Sequence, residues 1–313
     1  MNKPEPGWEF YRSFLAVMRE GSLSGAARLL GLTQPTVGRH VDALEEALGV
    51  TLFTRSQNGL APTESALSLM PHAEAMASAA EALRRAASGT ADEDRGTVRL
   101  TASEIIGTLV LPDMLARFRQ AHPRISIELA LSNRTDDLIR READIAVRMT
   151  RPTQGALVAR KVGTIGLGLH AHKAFIAANG VPASLDELDR FPIIGFDREP
   201  SIRRLKDLGF TLTRDLFAFR CDDDVAQFAA LKAGFGLGMC QNALAAREPN
   251  LVPVLPGQLT FEMEVWIVMH EDLKTSRRMR LMFDHLVAEM TAYTQADAPR
   301  RAKDHAAETS SRP

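Results

Sequence analysis

The sequence predicts an α+β multidomain protein, with a helical N-terminal region followed by an α/β region. Apolar residues recur at helical spacing over residues 8–48 and again over 63–88. A polar stretch at 88–96, SGTADEDRG, reads as a linker. From Val98 onward, short strand-like runs alternate with helical ones, the pattern of an α/β fold with a mainly parallel sheet. The length of 313 residues suits about two domains.

Residues 8–20 read as a helix because Phe10, Phe14 and Val17 share one face, and Gly21 stands where a terminating glycine belongs. Ser22 or Ser24 can cap a second, short helix holding Ala26, Ala27, Leu29 and Leu30, which Gly31 ends. Thr33 can cap a third helix with Pro35 in its first turn, where the missing N–H costs nothing. Val37, Val41, Leu44 and Leu48 line one face of it, and Gly49 closes it. Leu52 and Phe53 begin an extended piece, and Asn58-Gly59 is a strong turn signal, so 50–61 reads as a small hairpin or wing.

Residues 63–88 are Ala-rich, with Thr63 and Glu64 as a start signal and Pro71 inside the first turns. Leu69, Ala73, Met76, Ala80, Leu83 and Ala87 alternate spacings of four and three, a heptad seam suited to pairing with a copy of the same helix. The alternative is a helix packed on its own domain. Beyond the linker, strands are expected at Val98–Thr101, Ile125–Leu131, Asp144–Arg148, Ile165–His170, Phe217–Phe219, Gly236–Met239 and Val265–Met269. Helices are expected up to about Gln120, at Thr135–Arg141, at about Asp223 to Ala233 and at 276–293, with a polar, disordered tail over 293–313.

Composition excludes several classes. Lys+Arg is 38 against Asp+Glu 39, a net charge of −1. Residues 1–95 carry 9 basic and 12 acidic side chains, so any nucleic-acid binding must come from a few placed donors and cannot come from a global field. No stretch reaches the roughly 18 apolar residues of a membrane helix, and MNKPEPGWEF lacks the features of a signal peptide. With two cysteines, Cys221 and Cys240, a cytosolic setting without disulfides or a zinc motif is expected. His170 and His172 lie two apart with no third ligand nearby, so no metal is expected. No nucleophile elbow, phosphate-binding glycine loop or HExxH pattern occurs, and neither a cofactor nor an enzymatic activity is expected.

Three short helices with a glycine-bounded turn at 31–33 describe a helix-turn-helix. In that motif the last helix lays its first turns in the major groove of DNA. Val37, Val41 and Leu44 then form the inside, while Gln34, Thr36, Arg39 and His40 are expected to face outward. Gln can pair with an adenine edge and Arg with guanine, each good pair giving roughly 1–3 kcal/mol of discrimination. Gly38 removes a side chain on that face and could let the backbone approach DNA. From these patterns alone, a two-lobed small-molecule binding protein or enzyme with a helical dimerisation domain stays open as the alternative.

Residues 8–66 resemble the DNA-binding domain of LysR-type transcriptional regulators. The resemblance is carried by Phe14, Val17, Gly21, Ser22, Ala26, Ala27, Leu30, the run Thr33-Gln34-Pro35-Thr36-Val37, Leu44-Glu45, Leu48-Gly49, Leu52-Phe53, Arg55, Leu60, Pro62 and Thr63. LIRREADIAV at 138–147 and AGFGLG at 233–238 extend it into the second half. It implies a winged helix-turn-helix at 1–62, a dimerising linker helix at 63–95 and a periplasmic-binding-protein-like effector domain at 96–292. The lobes would cover about 97–163 with 267–292, and about 164–266, joined by crossings near 162–165 and 265–269. Gln34, Pro35, Thr36 and Arg39 would contact DNA, and Arg55 its backbone from the wing. Ser22, Ser24 and His40 complete the candidate set. Gly38 and Ser65 depart from the family, which usually has Ser at the first position and often Gly at the second. The implied partners are double-stranded DNA, a small-molecule effector and further copies of the chain, as dimer or tetramer.

Candidate effector residues follow from strand ends. Ser103, with Glu104 after it, ends the first strand and opens a helix. Asn133 and Arg134 follow the second strand, Arg148 ends the third, and Asp222, Asp223 and Asp224 open the second-lobe helix. Arg134 and Arg148 together would suit a carboxylate, whereas the Asp triplet would favour a hydroxyl or amine, or would merely cap its helix.

Overall fold

The computed structural model describes residues 5–56, 59–87, 94–133, 143–152, 157–198 and 213–310. The chain separates into two compact units, one containing residues up to Ala87 and the other most of the remainder.

In the first unit α1 spans Trp8–Glu20, α2 Leu23–Leu30 and α3 Gln34–Leu48. Each ends at a glycine in the left-handed region, Gly21, Gly31 and Gly49, as the sequence predicts. Ser22, rather than Ser24, caps α2 by accepting from the Gly25 N–H at 3.1 Å. Strands β1 (Phe53–Ser56) and β2 (Gly59–Pro62) form the antiparallel wing, with Arg55 opposite Leu60. The Gly21 carbonyl accepts from the Leu60 N–H at 2.9 Å, which seats the wing on the end of α1. Gly59 makes this possible, because its φ is 123° and a Cβ there would lie 2.7 Å from the Gly21 oxygen.

Helix α4 runs Glu64–Ala87, and the Thr63 hydroxyl accepts from the Ala66 N–H at 3.2 Å. The heptad seam divides. Ala73 and the partly buried Leu69 pack against Phe14, Leu15, Leu44 and Leu52 of the same unit. Met76 and Leu83 stay 42% and 73% exposed. The first half of the seam thus has an intramolecular partner, and only the second half is left for another chain.

The second unit holds β3 (Gly96–Ala102), α5 (Glu104–Leu109), α6 (Leu111–Ala121), β4 (Ile125–Leu131), β5 (Ile145–Arg148) and the long β6 (Leu157–His172). After α7 (Lys173–Asn179) come β7 (Ile193–Gly195), β8 (Phe217–Arg220), α8 (Asp224–Lys232), β9 (Gly238–Gln241), α9 (Asn242–Ala245), β10 (Leu251–Pro253), β11 (Thr260–His270) and α10 (Arg277–Ser310). The main sheet runs β10-β6-β11-β5-β3-β4, with β9 also on β6. It is mixed, which corrects the expectation of a mainly parallel sheet: β4-β3-β5 are parallel, but β6 and β11 pair antiparallel with each other and with their other neighbours. These two strands contain the segments expected to cross between lobes. A buried apolar cluster including Val98, Leu100, Phe118, Ile145, Ile165, Leu231 and Ile267 fills the unit.

The expected disordered tail is also corrected, since α10 continues to Ser310. Residues 295–310 include five Ala and two Arg, both strong helix formers, so a polar composition here accompanies a helix. The helix expected at Thr135–Arg141 lies outside the described residues.

One carboxylate braces the wing to α3. Glu45 Oε1 accepts from the N–H groups of Leu52 and Phe53 at 2.6 and 3.2 Å. Glu45→Ala should cost about 1.5 kcal/mol of local stability, read as faster amide exchange at Leu52 and Phe53 than in wild type. Unchanged exchange at both amides would refute the brace.

Candidate functional site

The first candidate site is the N-terminal half of α3. Val37, Val41 and Leu44 are 0%, 5% and 1% exposed and form the buried face. On the helix scaffold this leaves Gln34, Pro35 and Arg39 exposed and Thr36 half-buried. The Thr36 and Thr33 hydroxyls share a 2.8 Å hydrogen bond across the first turn, so Thr33 caps the helix end through Thr36 and not through a main-chain N–H. Gly38 has space around it: a Cβ there would meet only Leu23, at 3.7 Å. Its small size is therefore not needed for packing within the unit.

His40 departs from the outward orientation expected of it. Its Nδ1 is 2.8 Å from the Oγ of Ser13, a residue with no exposed surface, and its ring lies 5.1 Å from that of Phe10. It sits on the flank of α3, where the helical turn carries it toward α1. Ser13 and Glu45 are the residues that sequence reasoning missed as supports of this helix. A polar residue inside the apolar stripe of α1 was the available signal for Ser13. Ser24 is exposed, Ser22 is engaged in its cap, and Arg55 lies in β1.

The second candidate site is the end of β3. Ser103 precedes α5, and its Oγ is buried with no hydrogen-bond partner among the described residues. Asn133 Oδ1 accepts from the Glu104 N–H at 3.2 Å, and Asn133 Nδ2 donates to Glu104 Oε2 at 3.2 Å, so this pair ties the end of β4 to the start of α5. β3 and β5 pair as Ala102↔Val147, which puts Ser103 beside Arg148 at the strand ends. Arg148 is 8% exposed and donates to the Thr101 hydroxyl at 3.1 Å. Sequence reasoning did not single out Thr101. Arg134 lies outside the described residues.

The acidic triplet has structural work. Asp223 caps α8 through the Ala226 N–H at 2.8 Å. Asp222 accepts from the N–H groups of Asp197 and Arg198 at 3.3 and 3.2 Å, fixing the loop after β7. His172 caps α7 through the Ala174 N–H at 3.1 Å. His170 is buried, donates from Nδ1 to the Gly168 carbonyl at 2.9 Å, and has Cys240 Sγ 3.4 Å from the same nitrogen.

A winged helix-turn-helix with a donor-bearing third helix, joined in one chain to an α/β unit with a polar strand-end site, defines a DNA-binding regulator class. Residues 8–67 match the family described as bacterial regulatory helix-turn-helix protein, lysR family, and residues 91–291 match the LysR substrate binding domain. The chain belongs to the LysR family of transcriptional regulators, which combine a helix-turn-helix with an effector-binding domain. An HTH-type transcriptional regulator of Xanthomonas campestris pv. campestris (strain 8004) is 33% identical over 175 residues. That match covers 56% of this chain and 51% of the relative, about half its length. The solved structure of CrgA, a LysR-type regulator from Neisseria meningitidis, superposes with a TM-score of 0.57 at 24% identity, covering 91% of this chain and 99% of that one. Full-length CbnR in complex with its target DNA gives a TM-score of 0.63 at 18% identity, covering 90% and 99%. At these identities the two structures establish the fold. Among the described residues, no helix is long and apolar enough to cross a membrane.

Burial pushes the Cys240 thiol up to about 12. At pH 8 it should stay unlabelled by iodoacetamide in the folded protein, while the partly exposed Cys221 reacts first. Mass spectrometry of digested, alkylated protein checks this, and labelling of Cys240 before Cys221 would contradict the buried environment.

Proposed function

We propose that this protein is a ligand-responsive regulator that reads a specific DNA sequence through Gln34 and Arg39 and works in the cytoplasm as a dimer, or as a dimer of dimers, without enzymatic activity. The observation that carries the reading is the division of α3, with Val37, Val41 and Leu44 buried and Gln34 and Arg39 exposed on its first turns. Gln34 pairs with adenine and Arg39 with guanine in the major groove, and Arg55 meets the backbone from the wing. Self-association uses the part of α4 around Met76 and Leu83, whose apolar side chains are exposed. Two recognition helices then read half-sites about one helical turn apart, roughly 34–36 Å. CbnR, of the same fold, has been solved with its target DNA.

The test is a gel shift on the chain's own upstream DNA. Wild type should bind with an affinity that falls steeply with salt. Arg39→Ala should lose about 10- to 100-fold in affinity for that DNA, in keeping with roughly 1–3 kcal/mol per base pair contact. Its unfolding temperature should stay at the wild-type value. Full binding by the variant would remove Arg39 from the recognition set.

We place the effector contact at Ser103, whose buried hydroxyl lacks a hydrogen-bond partner among the described residues and would gain one from a ligand oxygen. Arg148, its neighbour across the strand ends, favours a small carboxylate. An effector that binds one interlobe arrangement better than another shifts the population toward it. In a thermal-shift screen of small carboxylates, any compound that stabilises wild type should lose most of its effect on Ser103→Ala. An equal shift in both proteins would move the effector away from this hydroxyl.

A further inference from the structure

The strands β6 and β11 run through both halves of the second unit. The later part of β6 pairs with β9 and β10, and the later part of β11 pairs with β5. Their shared ladder slips at one place: Gly163 faces Val265, but the next residue of β11, Trp266, faces Lys161. Val162 is therefore the extra residue of a β-bulge. A bulge disrupts the ladder locally and bends its strand.

Helix α10 closes over that spot. Thr294 is 2% exposed, and its hydroxyl donates to the Val162 carbonyl at 2.8 Å, with the Thr291 carbonyl at 3.0 Å. Gly163, at φ 141°, leaves the room this needs, since a Cβ there would lie 2.2 Å from Thr294 Oγ1. The same helix is fixed on one side by a two-pronged Arg117–Glu289 pair at 2.9 and 2.6 Å, and by His285 Nε2 donating to the Met114 carbonyl at 2.8 Å. On the other side the Tyr293 hydroxyl donates to Gln241 Oε1 of β9 at 2.9 Å. The Arg247 guanidinium lies 5.3 Å from the Tyr293 ring and also donates to the Leu109 carbonyl at the end of α5, at 3.3 Å.

We propose that Thr294 is a positioning residue that pins the interlobe hinge at the Val162–Gly163 bulge, with Tyr293 holding the second lobe to the same helix. The inference rests on reading the unit as a two-lobed effector domain whose lobes move. Bending at the bulge separates the Val162 carbonyl from Thr294, so the pin sets the resting angle from which an effector must move the lobes. A hydroxyl is the part that matters: valine keeps the shape and removes the donor, and serine keeps the donor.

Hydrogen–deuterium exchange on the full, ligand-free chain tests the pin. Thr294→Val should speed exchange about five- to tenfold in peptides covering 161–164 and 264–266, the size expected from losing one buried hydrogen bond, and leave β3 at the wild-type rate. Thr294→Ser should return close to wild type. Tyr293→Phe keeps the ring and should speed exchange about threefold at 238–241, which provides a reading if Thr294→Val fails to fold. Wild-type exchange at the bulge in Thr294→Val, or an equal increase in β3, would overturn the proposal. So would unchanged exchange at 238–241 in Tyr293→Phe. A gel shift in parallel separates the two claims: absence of DNA binding by wild type counts against the proposed function and leaves the exchange result to decide the pin.

Discussion

The burial of Val37, Val41 and Leu44 on the inner face of α3 is the constraint on which the proposed DNA-facing surface depends. Three apolar side chains removed from water at roughly 1.5–3 kcal/mol each fix the rotation of the helix about its axis. Once that rotation is set, Gln34 and Arg39 have no choice of side. The polar supports act on the same rotation. Ser13 holds His40 against α1, and Glu45 ties the far half of the helix to the start of the wing. The exposed face that carries Gln34 and Arg39 is thus specified from behind, by residues that never reach it.

The second unit follows a comparable rule at a larger scale. Its parallel part, β4-β3-β5, brings Ser103 and Arg148 together at strand ends, where side chains leave the sheet and polar groups can be presented. Its two long strands carry the chain from one half to the other. Helix α10 is bonded to the strands of the unit, through Thr294 to Val162 of β6 and through Tyr293 to Gln241 of β9.

Helices α2 and α3 were legible from apolar residues, a cap candidate before and a glycine after, and α1 from apolar spacing and Gly21. The strand Ile125–Leu131 was legible with its bounds. The sheet's mixed character was not, because period-two patterning does not report the direction of a neighbouring strand. The end of α10 was misread because solvated helix and disordered coil share a polar composition, and Tyr293 and Thr294, both buried, sit just where that composition begins. His40 was placed outward because it follows Arg39 on a polar stretch, although one step along a helix turns a side chain by about 100°, enough to carry it onto α1. The Asp triplet reads from sequence either as ligand contacts or as a helix cap, and the cap is present at Asp223, while Asp222 accepts from N–H groups of the loop after β7. The contacts of His40 and Asp222 join segments about 25 residues apart in sequence, which local patterns do not encode.

Dimethyl sulfate footprinting of guanine N7 tests the central claim most directly, because that atom lies in the major groove. With the full chain bound to its own upstream DNA, guanines should be protected in two patches separated by about one helical turn. Binding that leaves every guanine N7 reactive, or that protects only minor-groove positions, would contradict a recognition helix presenting Gln34 and Arg39 to the bases.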